Sequence, residues 1–120
     1  MSLKIFKQIT LSICFVSFAL AEINVYSHRH YESDKILFKK FTNSTGIKVN
    51  IIKGSADQLI QRLQSEGENS PADVLLTVDA GRLVRAKNLG LLKSIKSDKL
   101  IKNVPKIMRD IENYWFGLSV

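Results

Sequence analysis

Six consecutive residues, Tyr26-Ser27-His28-Arg29-His30-Tyr31, hold both histidines of the chain, two of its three tyrosines and an arginine. A tyrosine phenolate is a hard anionic oxygen ligand suited to a hard cation such as Fe(III), and an imidazole can complete such a shell. A free phenol ionises near pH ~10, so a bound cation has to offset the cost of deprotonation. A guanidinium such as that of Arg29 would help, by stabilising phenolate or by holding an accompanying anion. On spacing alone a second reading stays open, because exposed Arg-His-Tyr runs are usually polar surface loops.

Elements on either side must place this cluster. Residues 23–26 form a short apolar-rich strand. Ser33 is the predicted cap of a helix with Asp34 in its first turn, an apolar face of Ile36, Leu37, Phe38 and Phe41, and Gly46 at its end. Residues 47–51 alternate as a second strand. Ser55 and Gln58 match the serine-x-x-glutamine capping box of a second helix carrying Leu59, Ile60 and Leu63 and stopped by Gly67. A turn around Asn69, Ser70 and Pro71 leads into residues 74–78, a continuous apolar run that predicts a buried parallel strand. Asp79 caps a third helix bearing Leu83, Val84 and Ala86, which ends at Gly90. Residues 91–95 read as a short extended piece, 97–102 as a helical turn, and 114–120 as a last apolar strand.

Strands alternating with helices predict an α/β unit, a mainly parallel sheet covered on both faces. Ligands of such sheets gather at the carboxyl ends of the strands. Two clusters are expected there, residues 27–31 after the first strand and residues 77–82, with Thr77 and Asp79, after the third.

The N-terminus has Lys4 and Lys7, an apolar run to Leu20 and the small-x-small pattern Ala19-Leu20-Ala21, which predicts a cleavable signal peptide over residues 1–21 and an extracytoplasmic mature protein. Cleavage there removes Cys14, leaving no cysteine for disulfides or thiolate ligation. It also lowers the net charge from +7 to +5. The basic residues are scattered as on a solvated surface, with a field that favours an anionic ligand or partner. Residues 22–120 suffice for one small domain and not for two lobes.

Other constellations are weaker. Asp73 and Asp79 bracket the third strand at opposite ends, which suits turn and capping roles. Ser27 beside His28 lacks an acid and a glycine-framed elbow, so an enzyme is not expected. Tyr26 suits the core, and Tyr114, Trp115 and Phe116 suit packing. One alternative is a secreted basic module binding an anion or nucleic acid through Arg82, Arg85 and Lys87, whose binding would weaken steeply with salt.

From residue 23 to about residue 118 the chain resembles the N-terminal part of iron(III)-binding periplasmic substrate-binding proteins of ABC importers, most of all the cyanobacterial type. The resemblance rests on Val25-Tyr26-Ser27-His28-Arg29-His30-Tyr31, Thr45-Gly46-Ile47-Lys48-Val49-Asn50, Gly54-Ser55-Ala56-Asp57, Ser65-Glu66-Gly67, the run from Asn69 through Asp79, Asn103-Val104-Pro105, Arg109-Asp110 and Trp115-Phe116-Gly117. It implies the N-terminal lobe of a type II periplasmic-binding-protein fold, in a monomeric carrier that clamps Fe(III), with or without a synergistic anion. The implied partners are a membrane permease and its ATPase, and no nucleic acid. Tyr31 matches the tyrosine ligand of that lobe and His30 a histidine that ligates in some members. Arg29 is implied as support for them, with Ser27, Thr77 and Asp79 as further residues around the ligand or its anion, while the role of His28 stays open. Gln58 stands where many relatives have glutamate. The family's second lobe, with further tyrosine ligands, has no counterpart here, so the expectation is a truncated lobe.

Overall fold

The computed structural model describes residue 14 and residues 20–118. The signal-peptide reading therefore lies almost wholly outside the described residues. Three parallel strands form the sheet in the order β2-β1-β3, with β1 (Glu22–Ser27) between β2 (Lys48–Lys53) and β3 (Val74–Leu76). The helices are α1 (Glu32–Thr45), α2 (Ala56–Glu66), α3 (Ala80–Asn88) and α4 (Asp98–Asn103), with short 3-10 turns at Gly67–Asn69 and Lys106–Met108.

Register explains the core. Tyr26 sits beside Ile52 on one neighbour and Leu75 on the other, so strand alternation puts all three on one face. Helix α2 covers that face: Leu59 and Leu63 pack on Tyr26, with Ile52, Ala72, Leu75 and Leu91 around them. The Tyr26 side chain is fully buried at 0% exposure. Its hydroxyl donates to the Glu66 carboxylate, with oxygens at 2.9 and 2.8 Å, and Glu66 also accepts from Arg62 Nε at 2.6 Å and Ser70 Oγ at 2.7 Å. Burial, reinforced by Glu66, pushes the Tyr26 phenol above its ordinary pKa, so it stays neutral. The Ser70 and Arg62 hydrogen bonds hold Glu66 below the usual carboxylate range. Tyr26 is thus a core residue, as its place in the strand implied.

Local signals that act within a turn are realised. Ser55 and Gln58 form a complete capping box, Asp79 accepts from the Arg82 N–H at the start of α3, and Ser97 does the same for Leu100 at the start of α4. Gly46 closes α1 with φ of 73°, a left-handed conformation that glycine adopts without a Cβ clash. Asp73, expected in a turn or capping role, instead ties the start of β3 to β1: it accepts from the Asn24 N–H and donates its own to the Asn24 carbonyl, both at 2.8 Å.

Four expectations are corrected. Helix α1 starts at Glu32, with Tyr31 in the N-cap position and no side-chain cap, so Ser33 lies inside the helix. The apolar face of α1 is not a core face: Ile36 is 61% and Leu37 55% exposed, and none of the helix's residues is buried. The third strand ends at Leu76, since the Thr77 hydroxyl turns back to the Asp79 carbonyl, and it lies at the sheet edge, with Val74 41% exposed. Residues 91–95 form no strand, and in place of a strand over the described part, 114–118, of the expected 114–120 there is a turn closed by one antiparallel bridge between Arg109 and Phe116. Asp110 organises that turn, accepting from the Glu112 and Tyr114 N–H groups.

Candidate functional site

At the carboxyl end of β1 the chain leaves the sheet through a short hydrogen-bonded loop. The Arg29 N–H donates to Ser27 Oγ at 3.1 Å, and the buried Ser27 hydroxyl lies 3.3 Å from the Arg29 carbonyl. The His28 N–H donates to the Leu76 carbonyl at 2.9 Å, tying the loop to the end of β3. His30 follows on the surface, and Tyr31 is 53% exposed at the first residue before α1. A buried strand end and a helix start thus fix both sides of a segment whose ligand-type side chains reach solvent.

The side chains have definite neighbours. The Arg29 guanidinium grips Asp34 with two parallel bonds, Nε and Nη2 each 2.9 Å from a carboxylate oxygen. Its Cζ lies 4.9 Å from the centroid of the Tyr31 ring, in cation–π range. The His28 ring meets His30 edge-on, with centroids 6.1 Å apart, and His28 Nδ1 is buried without a hydrogen-bond partner. A cavity of about 120 Å³ opens here, lined by Ser27, Arg29, His30, Tyr31 and Asp34 together with Lys53 of β2.

Thr77 and Asp79 lie on a neighbouring cavity of about 240 Å³, between β3, α3 and the turn carrying Trp115 and Phe116, and Arg29 lines both cavities. Their polar atoms already serve the β3–α3 turn. Thr77 Oγ1 donates to the Asp79 carbonyl at 2.8 Å; Asp79 accepts from the Arg82 N–H at 3.0 Å and pairs with Arg82 Nη1 at 2.6 Å. The Arg82 backbone N–H, then its side chain, hold the Asp79 carboxyl below its ordinary pKa, so it carries negative charge. The six site residues read from the sequence therefore divide: Ser27, Arg29, His30 and Tyr31 share one cavity, Thr77 and Asp79 line the other, and Arg29 stands between. Sequence reasoning gives Asp34 a helix-dipole role alone and misses its pairing with Arg29. Its spacing five residues after Arg29, in a helical first turn, was the available sign of its pairing.

Chemically, one exposed phenol and an adjacent imidazole supply a minority of the shell of an octahedral cation. Among the described residues no three His, Cys, Asp or Glu side chains come together as a metal-binding group. The basic surface of the alternative reading is internally neutralised: Arg82 pairs with Asp79 at 2.6 Å, Arg85 with Asp57 at 2.8 Å, and Lys87 with Asp110 at 2.9 Å and Glu112 at 2.6 Å. Hydrogen bonds to Glu112 and Asp110 push the Lys87 pKa up. Among the described residues, no helix is long and apolar enough to cross a membrane.

A parallel sheet flanked by helices, with a loop bearing His30 and Tyr31 at its carboxyl edge, suits one lobe of a type II solute-binding protein, and comparison with known proteins agrees. A profile of the family described as bacterial extracellular solute-binding protein matches residues 35–110, and the chain belongs to that family. It is 54% identical over 98 residues to Iron uptake protein A1 of Synechocystis sp., covering 82% of this chain and 27% of that protein. It is 34% identical over 82 residues to the Major ferric iron-binding protein of Neisseria gonorrhoeae, covering 68% of this chain and 25% of that one. Among solved structures it is similar to the Trichodesmium IdiA (FutA) protein in complex with iron and citrate, with a TM-score of 0.78, 52% identity, and 81% and 31% of the two chains covered. It is also similar to the ferric binding protein from Campylobacter jejuni, with a TM-score of 0.76, 48% identity, and 78% and 30% covered. The sequence-based resemblance and the fold class are thereby borne out. The chain spans about 27% of the length of the first of these relatives.

Proposed function

We propose that this chain is part of an extracytoplasmic carrier that captures ferric iron and hands it to a membrane permease driven by an ATPase. Residues 1–21 act as a cleaved signal peptide, and residues 22–120 form part of the N-terminal lobe, in the periplasm. The protein transports its ligand and does not transform it. Tyr31 ligates as phenolate, His30 adds an imidazole nitrogen, and the remaining positions fall to groups outside this chain or to an anion such as a carboxylate. Ser27, Thr77 and Asp79 hold the two loops on which the site is built.

The observation that carries this reading is the contrast between two tyrosines of one short segment. Tyr26 is fully buried and keeps its proton against Glu66, whereas Tyr31 is half-exposed next to His30 at the carboxyl edge of the sheet. Iron and ferric-binding relatives of both sequence and structure point the same way.

The test is transfer of Fe(III) from citrate to the intact protein across a range of salt concentration. Coordination by phenolate predicts uptake that varies little with salt. Absence of uptake, together with nucleic-acid binding that collapses as salt rises, would replace this reading with the basic-module one.

A further inference from the structure

We propose that Arg29 and Asp34 form a clamp that sets the direction of the Tyr31 phenol before any metal arrives. The proposal rests on Tyr31 being an iron ligand.

Asp34 acts on Tyr31 by two routes. Its backbone N–H donates to the Tyr31 carbonyl at 3.1 Å, pinning the Tyr31 backbone at the head of α1. Its carboxylate holds both Nε and Nη2 of Arg29, each at 2.9 Å. Arg29 is tied at its other end as well, through its backbone N–H and carbonyl to Ser27 Oγ. The Arg29 and Asp34 side chains are only 12% and 14% exposed, while the Tyr31 ring lying on the guanidinium is 53% exposed. One face of the Tyr31 ring therefore lies against a fixed neighbour, the Arg29 guanidinium.

A planar guanidinium locked by a bidentate carboxylate is a rigid shelf. A ring resting on that shelf samples fewer orientations than a free exposed tyrosine, so less freedom is lost when the oxygen coordinates. Charge is the lesser part of the effect, because Asp34 balances the Arg29 charge at the same place. Arg29 is thus a positioning residue that acts through Tyr31, and lysine cannot replace it: an ammonium keeps the charge but supplies neither the fork nor the flat face.

The experiment compares Arg29→Lys, Asp34→Asn and Tyr31→Phe with the unsubstituted intact protein by two readouts. One is iron release to a competing chelator, followed by decay of phenolate-to-iron absorption. The other, in the iron-free protein, is rotamer averaging of Tyr31 from side-chain NMR couplings. The clamp predicts that Arg29→Lys and Asp34→Asn both release iron roughly two- to tenfold faster, the change expected from unlocking one side chain. Both should also show averaged Tyr31 rotamers, an effect separate from the lower melting temperature that breaking a nearly buried ion pair itself brings. Release and rotamers unchanged in Arg29→Lys would overturn the clamp, as would a lowered melting temperature as the sole effect. An absorption band that is lost in Tyr31→Phe yet insensitive to Arg29→Lys refutes the clamp alone. No band in the unsubstituted protein refutes the ligand role of Tyr31 and the clamp with it.

Discussion

Replacing Tyr26 by phenylalanine removes a single oxygen from a fully buried side chain and leaves its ring packed on Leu59 and Leu63. The lost group is a hydroxyl donating to an ionised carboxylate at 2.8–2.9 Å. A bond of that kind contributes about 1.5–3 kcal/mol, and the lower end applies here because Glu66 keeps its bonds to Arg62 and Ser70. For a domain of this size, about 1.5 kcal/mol corresponds to roughly 6–12 °C in melting temperature. Urea unfolding is the assay, with a lower midpoint and an unchanged slope expected, since the surface exposed on unfolding is the same. Iron binding should match the unsubstituted protein. Tyr26→Phe with an unchanged midpoint, or with iron binding lost at full stability, would refute the division of labour between the two tyrosines.

Three further outcomes follow from the same geometry. Ser55→Ala removes the acceptor for the Gln58 N–H and should lower stability by about 1 kcal/mol in urea unfolding. Gly117→Ala places a Cβ 2.9 Å from the Met108 carbonyl oxygen, so the turn must shift, at a cost of about 1–3 kcal/mol and with faster amide exchange over residues 108–117. The urea midpoint should also depend on pH in both directions. Glu66, Asp79 and Asp110 have folded pKa values below their ordinary ones, the last because the upward push of burial is outweighed by Lys87 and backbone N–H groups; their contribution is full above about pH 5 and is lost as pH falls through the depressed values. Lys87 and Tyr26 have raised values, so their contribution is full below about pH 10 and is lost as pH rises through them. A midpoint that is flat across both limits would contradict these shifts.

What the sequence revealed was what short-range chemistry decides. The capping box of α2 and Asp79 at α3 act within three residues and are present as read, and the helical turn read over residues 97–102 is α4, capped by Ser97. The placement of residues 27–31 at a sheet edge was also legible, because parallel strands bring their carboxyl ends together. Longer-range contacts decided the rest. Tyr31 is no usual capping residue, yet it heads α1, where Arg29 and Asp34 pair across the loop. The apolar run at β3 reads as buried, but burial depends on strand order, and this order leaves it at the edge. The turn over residues 109–116 is held by Lys87, 23 residues before Asp110, a contact that the local apolar pattern behind the strand expected over 114–120 does not show.

The central claim is that Tyr31 gives its phenolate to ferric iron, and visible absorption during Fe(III) titration of the intact protein tests it most directly. A charge-transfer band should grow to a stoichiometric end point and lose most of its intensity in Tyr31→Phe while persisting in Tyr26→Phe. A band of equal intensity and affinity in Tyr31→Phe would remove Tyr31 from the site and contradict the account.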